Sequence, residues 1–114
     1  MSTISTHILD TAHGKPANGV AVYLESQKSD ESWEQLTHAW TDEEGRVKPF
    51  FLLEEPLPAG IYRLVFDTEA YFSALNINSF YPQVYVVFTI GEDPQHYHIP
   101  LLISPFGYST YRGT

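Results

Sequence analysis

The sequence predicts an all-β sandwich, and three observations carry that expectation. Apolar and other residues alternate with a period of two in several separate runs. Those runs are divided by clusters containing Gly, Pro and Asp that favour turns. The chain is also apolar and long enough for one real core, with 114 residues, 43% hydrophobic and 15% aromatic. It contains no cysteine, so the fold needs no disulfide, and neither a cysteine nucleophile nor a thiolate metal site is available. One domain spanning residues 1–114 is expected.

Each element has its own signal. His7 precedes a first apolar stretch, and Asp10 and Thr11 are suited to shape the turn after it. Val20, Val22 and Leu24 alternate with Ala21, Tyr23 and Glu25, which reads as a strand with one face inward. Ser32 to Thr41 makes another strand, less well patterned. Tyr62, Leu64 and Phe66 define the next, then Val84, Val86, Phe88 and Ile90. His96 to Ser104 is a strand with Pro100 expected at an edge or a bulge, because proline cannot donate to a ladder. Ser109 to Arg112 reads as the last short strand. Between the middle strands, Thr68 to Leu75 predicts a short helix, with Thr68 as N-cap and Tyr71, Phe72 and Leu75 on one face. The breaks are Gly14-Lys15-Pro16, Asp42-Glu43-Glu44-Gly45, Pro56 to Gly60, Gly91 to Pro94 and Pro105-Phe106-Gly107.

Charge and length exclude several classes of partner. The net charge is −8 with only six Lys and Arg, which does not supply the basic face that nucleic acid needs. No apolar run is long enough to span a bilayer, so no membrane partner is expected. The N-terminus has neither a basic start nor an apolar core of the secretory kind, and a cytoplasmic location is expected.

Chemistry concentrates at the end, from His96 to Thr114, where ionisable groups lie beside the most apolar strand. An end of that kind is expected to be tied down and used. His96 and His98 are two apart and share a strand face. They could join His7 around a metal, but no carboxylate or third histidine has convincing ligand spacing. Acid–base use is better motivated, since an imidazole exchanges protons near neutral pH. Taken singly, His7 reads as structural and Arg46 as an exposed hairpin residue, though a guanidinium suits a heterocycle bearing carbonyl oxygens. His13, Lys15, His38 and Lys48 read as surface residues; Trp33 and Trp40 as core or interface; Tyr71, Phe72, Phe80 and Tyr81 as packing.

Four spaced motifs carry a resemblance over nearly the whole chain. They are Ser5-Thr6-His7-Ile8-Leu9-Asp10-Thr11 with Gly14-Lys15-Pro16-Ala17; Thr41-Asp42-Glu43-Glu44-Gly45-Arg46; Tyr71-Phe72 with Phe80-Tyr81-Pro82; and His96-Tyr97-His98-Ile99-Pro100-Leu101-Leu102 through Tyr111-Arg112-Gly113-Thr114. The sequence resembles the transthyretin-like family, and its last motif is similar to that of the 5-hydroxyisourate hydrolase branch. Two departures stand out. Thr114 occupies the place of the branch's usual terminal serine, and Phe80-Tyr81-Pro82-Gln83 stands where Phe-Phe-Pro-Glu is common.

The resemblance implies two four-stranded sheets, one short helix and a homotetramer built as a dimer of dimers. It also implies hydrolysis of 5-hydroxyisourate, a small-molecule substrate, with no metal and no organic cofactor. His98 would be the main acid–base residue, His7 its partner in activating water, and Arg46 the group that holds ring oxygens. Tyr111, Arg112 and Thr114 would close the pocket, with direct water attack preferred over a Thr114 nucleophile. The fold itself leaves a carrier of aromatic ligands open. The carrier branch holds other residue types at the positions matching His7, Arg46 and His98, so those three positions favour the enzyme.

Overall fold

The computed structural model describes residues 2–47 and 56–114. Eight strands and one helix follow in chain order: β1 (Thr3–Asp10), β2 (Lys15–Pro16), β3 (Ala21–Gln27), β4 (Trp33–Trp40), β5 (Gly60–Phe66), α1 (Thr68–Ala74), β6 (Val84–Ile90), β7 (His96–Ser104) and β8 (Gly107–Thr110). They form two four-stranded sheets, ordered β2-β1-β7-β8 and β4-β3-β5-β6. Lys48 lies outside the described residues.

The period-two runs face each other across the sandwich. From the first sheet, Ile4, Ile8, Tyr97, Ile99, Leu101 and Ile103 point inward; the second contributes Val22, Leu24, Tyr62, Leu64, Phe66, Val84 and Ile90. Sheet-on-sheet burial of these alternate side chains is the main stabilising term, at about 1.5–3 kcal/mol for each large aliphatic or aromatic group fully buried. β4 is an edge strand with mostly exposed or half-exposed residues, which explains its weak pattern. Trp40 is exposed, and Trp33 is half-buried beneath the Arg63 guanidinium at 4.2 Å.

Several expectations need correction. The helix is capped by Asp67 rather than Thr68, without a side-chain cap bond; Thr68 is buried in the first turn instead. Phe72 is the helix's core anchor, while Leu75 is exposed. Phe80 is likewise exposed rather than packed. The predicted turn at Lys15-Pro16 contains a two-residue strand that pairs with Leu9 and Asp10. The last strand begins earlier and ends earlier than expected, at Gly107 and Thr110.

Pro100 is the most instructive correction. It occupies an interior strand with continuous register, opposite His7 in the parallel β1–β7 pair, and marks neither an edge strand nor a bulge. On the other side of β7, Leu102 pairs with Ser109, and Gly113 N–H donates to the His98 carbonyl at 2.8 Å. Antiparallel bonding alternates every second residue. The bond between these pairs would therefore come from residue 100, and proline has no N–H to give. The ladder lapses at Tyr111 and Arg112, then closes again at Gly113.

Asp10 behaves as its sequence position suggests. It is fully buried and accepts bonds from the backbone N–H groups of Ala12 and His13, which makes the turn. The His13 ring and the Tyr71 hydroxyl reach the same carboxylate, each at 2.7 Å. His13 is thus more than a surface residue, since it partners a buried charge.

Candidate active site

Two strands distant in sequence build the site. Parallel pairing sets Thr3, Ser5 and His7 of β1 opposite His96, His98 and Pro100 of β7. Their neighbours Ile4, Ile8, Tyr97 and Ile99 point into the core, so the alternate set points outward from the sheet. The apolar face of each strand therefore fixes where the polar face must lie.

Arg46 arrives on the loop after β4. Asp42 holds that loop: its backbone N–H donates to the Arg46 carbonyl at 2.9 Å, and its carboxylate accepts from the N–H groups of Glu44 and Arg46. Gly45 has φ +75°, and a Cβ there would stand 2.4 Å from the Ile8 carbonyl oxygen. Glycine is required on both counts. It lets Ile8 N–H donate to the Gly45 carbonyl at 2.8 Å, and Arg46 then bridges His7.

The chain end supplies the opposite wall. Gly113 bridges His98, and a Cβ at Gly113 would fall 2.6 Å from the His98 ring carbon Cδ2. Glycine is what allows the backbone to lie against that ring. Thr114 then lines an open cleft of about 290 Å³ together with Ser5, Thr6, Arg46, Val47, His96 and His98.

The electrostatics favour neutral imidazoles. Burial lowers the His98 pKa below its ordinary 6.5, and the charges of Arg46, His96 and His7 add to the effect. Burial and Arg46 also lower that of His7, partly opposed by a hydrogen bond to the Glu44 backbone and by the charges of Asp42 and Glu44. An unprotonated imidazole beside a fixed guanidinium is equipped to accept a proton while negative charge develops nearby. Among the described residues, no group of three or more His, Cys, Asp or Glu could hold a metal ion.

Arg46, His98 and Thr114 are thus brought together at one cleft, while His7 does not line it and adjoins it through its bridge to Arg46. Tyr111 and Arg112 are not part of that cluster within one chain. They line a second cavity of about 300 Å³ with Val86, Val87, Phe88 and Thr89 of β6. There Arg112 lies 4.9 Å from the centre of the Tyr97 ring and donates to Gln95 at 2.7 Å. Ser5 and Gly113 were missed by the sequence reading. The cue for Ser5 was its i, i+2 spacing to His7; Gly113 had none before the register was known.

Fold and site define a class: a two-sheet β-sandwich whose outer strand face carries a histidine–arginine cleft. The HIUase/Transthyretin family model matches residues 4–113, and the chain belongs to that family. It is 47% identical over 111 residues to a 5-hydroxyisourate hydrolase of Salmonella dublin, covering 97% of this chain and 80% of the relative. Among solved structures, the 5-hydroxyisourate hydrolase of Klebsiella pneumoniae aligns with a TM-score of 0.85 and 41% identity, over 98% of this chain and 99% of the other. Sea bream transthyretin in complex with thyroxine aligns with a TM-score of 0.90 and 34% identity, over 98% of this chain and 95% of the other.

Proposed function

We propose that this chain catalyses the hydrolysis of 5-hydroxyisourate to 2-oxo-4-hydroxy-4-carboxy-5-ureidoimidazoline, a step of urate catabolism. The observation that carries this reading is the convergence of three separate segments: Arg46 and His98 line one open cleft, and His7 lies beside them, bridged to Arg46 and close enough for its charge to act on His98. Backbone likeness does not choose between enzyme and carrier, because the thyroxine-binding relative superposes at least as well as the hydrolase. The identity to named hydrolases and the residue types in the cleft make the choice.

In the proposed reaction, water attacks the ring carbonyl carbon of the acyl–nitrogen bond. His98 takes the proton from that water and later returns it to the leaving ring nitrogen. His7 orients the water. Arg46 binds the ring oxygens with its planar fork and stabilises the developing oxyanion. Thr114 closes the cleft beside His98. No metal or organic cofactor is required by this scheme. The ordinary route needs no covalent intermediate, so Thr114 is assigned to binding rather than to attack.

We further propose that residues 1–114 act as a single domain within a cytoplasmic homotetramer, a dimer of dimers. Support comes from the sheet edges: β6 and β8 are edge strands that expose Tyr85, Val87 and Tyr108, with Tyr111 just beyond. Such edges are normally covered. Tyr111 and Arg112 belong to that edge region, and their role as pocket walls is assigned to the assembled protein. No helix among the described residues is long and apolar enough to cross a membrane. The test is an ultraviolet assay in which uricase generates fresh 5-hydroxyisourate from urate. Decay of its absorbance should accelerate strongly with this protein, and a mass near four times 13.0 kDa is expected by light scattering. Buffer-like decay in the presence of the folded tetramer would favour a carrier instead.

A further inference from the structure

We propose that Ser5 and His96 form a proton relay behind His98, which passes positive charge from half-buried His98 to exposed His96 at the start of β7; this rests on the hydrolase reading above. The Ser5 hydroxyl lies 2.7 Å from Nδ1 of His98 and 2.8 Å from Nε2 of His96. The two rings are nearly parallel, with centroids 6.5 Å apart. Thr3 Oγ1 meets the far nitrogen of His96, Nδ1, at 2.5 Å. The four groups make one unbroken chain, Thr3–His96–Ser5–His98, running from an exposed imidazole to a half-buried one.

One hydroxyl has one hydrogen to donate. Ser5 therefore cannot donate to both rings, so at least one of His96 and His98 must donate to it. In the relay arrangement His98 carries its proton on Nδ1 and donates it to Ser5 Oγ, which frees the Ser5 hydrogen to be donated to Nε2 of His96. His96 then carries its own proton on Nδ1 and donates it to Thr3. This arrangement leaves Nε2 of His98 with a free lone pair, the form a general base needs. The opposite arrangement puts a hydrogen on that nitrogen and disables it.

The chain also disposes of the proton that catalysis generates. Water gives a proton to Nε2 of His98. The Nδ1 proton of His98 moves to Ser5 Oγ, and the Ser5 hydrogen moves to Nε2 of His96. His98 is then neutral with Nε2–H, and the exposed His96 is an imidazolium. When the leaving nitrogen takes the Nε2 proton of His98, the shift runs backwards and every group regains its starting state. No proton is gained or lost over the cycle. The benefit is electrostatic, because the positive charge moves from half-buried His98 to exposed His96, where solvent screens it better. Ser5 and His96 act through His98 and are positioning and relay residues.

Two measurements test the relay. The first needs no substrate: long-range proton–nitrogen NMR of the ring nitrogens at a pH where both histidines are neutral. Wild type should show His98 and His96 as Nδ1–H tautomers, and Ser5→Ala should release His98 toward Nε2–H. A wild-type His98 already in the Nε2–H form would overturn the proposal. The second uses His96→Gln, whose amide oxygen can still accept from Ser5 but which cannot carry a proton. In dilute buffer its kcat should fall about 10-fold with KM unchanged, and added imidazole should restore the rate. Undiminished kcat, or a loss that imidazole does not repair, would overturn the relay while leaving an active wild type and the hydrolase reading intact. An inactive wild type would remove the hydrolase reading and the relay's purpose together, with the tautomers still decided by NMR.

Discussion

Two cavities of nearly equal size adjoin the C-terminal segment, and they differ in almost everything except volume. The first, about 290 Å³, is walled by two imidazoles, a guanidinium and three hydroxyl side chains. The second, about 300 Å³, is walled largely by Val86, Val87, Phe88, Tyr97, Ile99 and Tyr111, with Arg112 tied to Gln95. Space alone therefore predicts nothing about chemistry. What separates the cavities is the backbone around them: glycines at 45 and 113 let Arg46 and the chain end press against His7 and His98, and no such close approach marks the second cavity. Function is assigned to the cavity whose polar groups are held by the fold.

The comparison breaks most sharply at His98. His98→Ala should lower kcat by about 10²–10⁴-fold in the 5-hydroxyisourate assay, the range for loss of a positioned acid–base group. Equal rates for mutant and wild type would move the chemistry elsewhere.

Arg46→Ala should come next, raising KM and lowering kcat together, with a combined loss of about 10²–10³-fold, as for removal of an oxyanion-stabilising group. It carries a second signature. Because Arg46 lowers the pKa of His7 and His98, the Arg46→Gln protein should show both titrating at higher pH by NMR. Unmoved titrations would mean that the guanidinium does not face them.

Gly113→Ala sharpens the claim about close approach. The added Cβ would lie 2.6 Å from the His98 ring and must displace it. A fall in kcat of about 10-fold, with circular dichroism unchanged, is expected for such a misplacement. Full activity would show that the ring has room.

The smallest effect on turnover belongs to Asp10, which stabilises the sandwich without touching the cleft. Asp10→Ala should cost about 1–3 kcal/mol in urea unfolding by stranding Tyr71 and the turn N–H groups, with kcat per folded molecule retained. Burial alone would raise the Asp10 pKa, but bonds from Tyr71 and His13 outweigh it and hold the carboxyl below its ordinary 3.8. Its contribution is present above that value and is lost as pH falls through the folded-state pKa. His7 and His98 act at higher pH. Their folded pKa values lie below 6.5, so stability is greatest above 6.5 and declines as the unfolded chain takes protons that the folded one refuses. Urea midpoints should drop between pH 7.5 and 5.5 in wild type, and less in His98→Ala.

Much of the sandwich was legible because burial on one sheet face imposes a period of two; β3, β5 and β6 follow directly from Val22, Leu64 and Val86 and their alternates. The shared face of His96 and His98 followed from the same rule. Pairing partners were not legible. Nothing local to Thr3–Asp10 states that it lies parallel to a strand some ninety residues later, and the parallel register is what sets Ser5 against two imidazoles. The placement of Pro100 failed for a related reason: its missing N–H is harmless only because the neighbouring segment leaves the ladder at Tyr111. Arg46 seemed ordinary in sequence because its importance lies in Gly45's approach to Ile8, a tertiary contact.

The central claim is that the polar cleft, and not the apolar cavity beside it, carries the reaction. The most direct measurement compares steady-state turnover of freshly generated 5-hydroxyisourate by wild type, His98→Asn and Val87→Thr, the last being an isosteric change in the second cavity. The account predicts near-complete loss of kcat in His98→Asn and wild-type kcat in Val87→Thr. Retained turnover in His98→Asn, or its loss in a folded Val87→Thr protein, would contradict it.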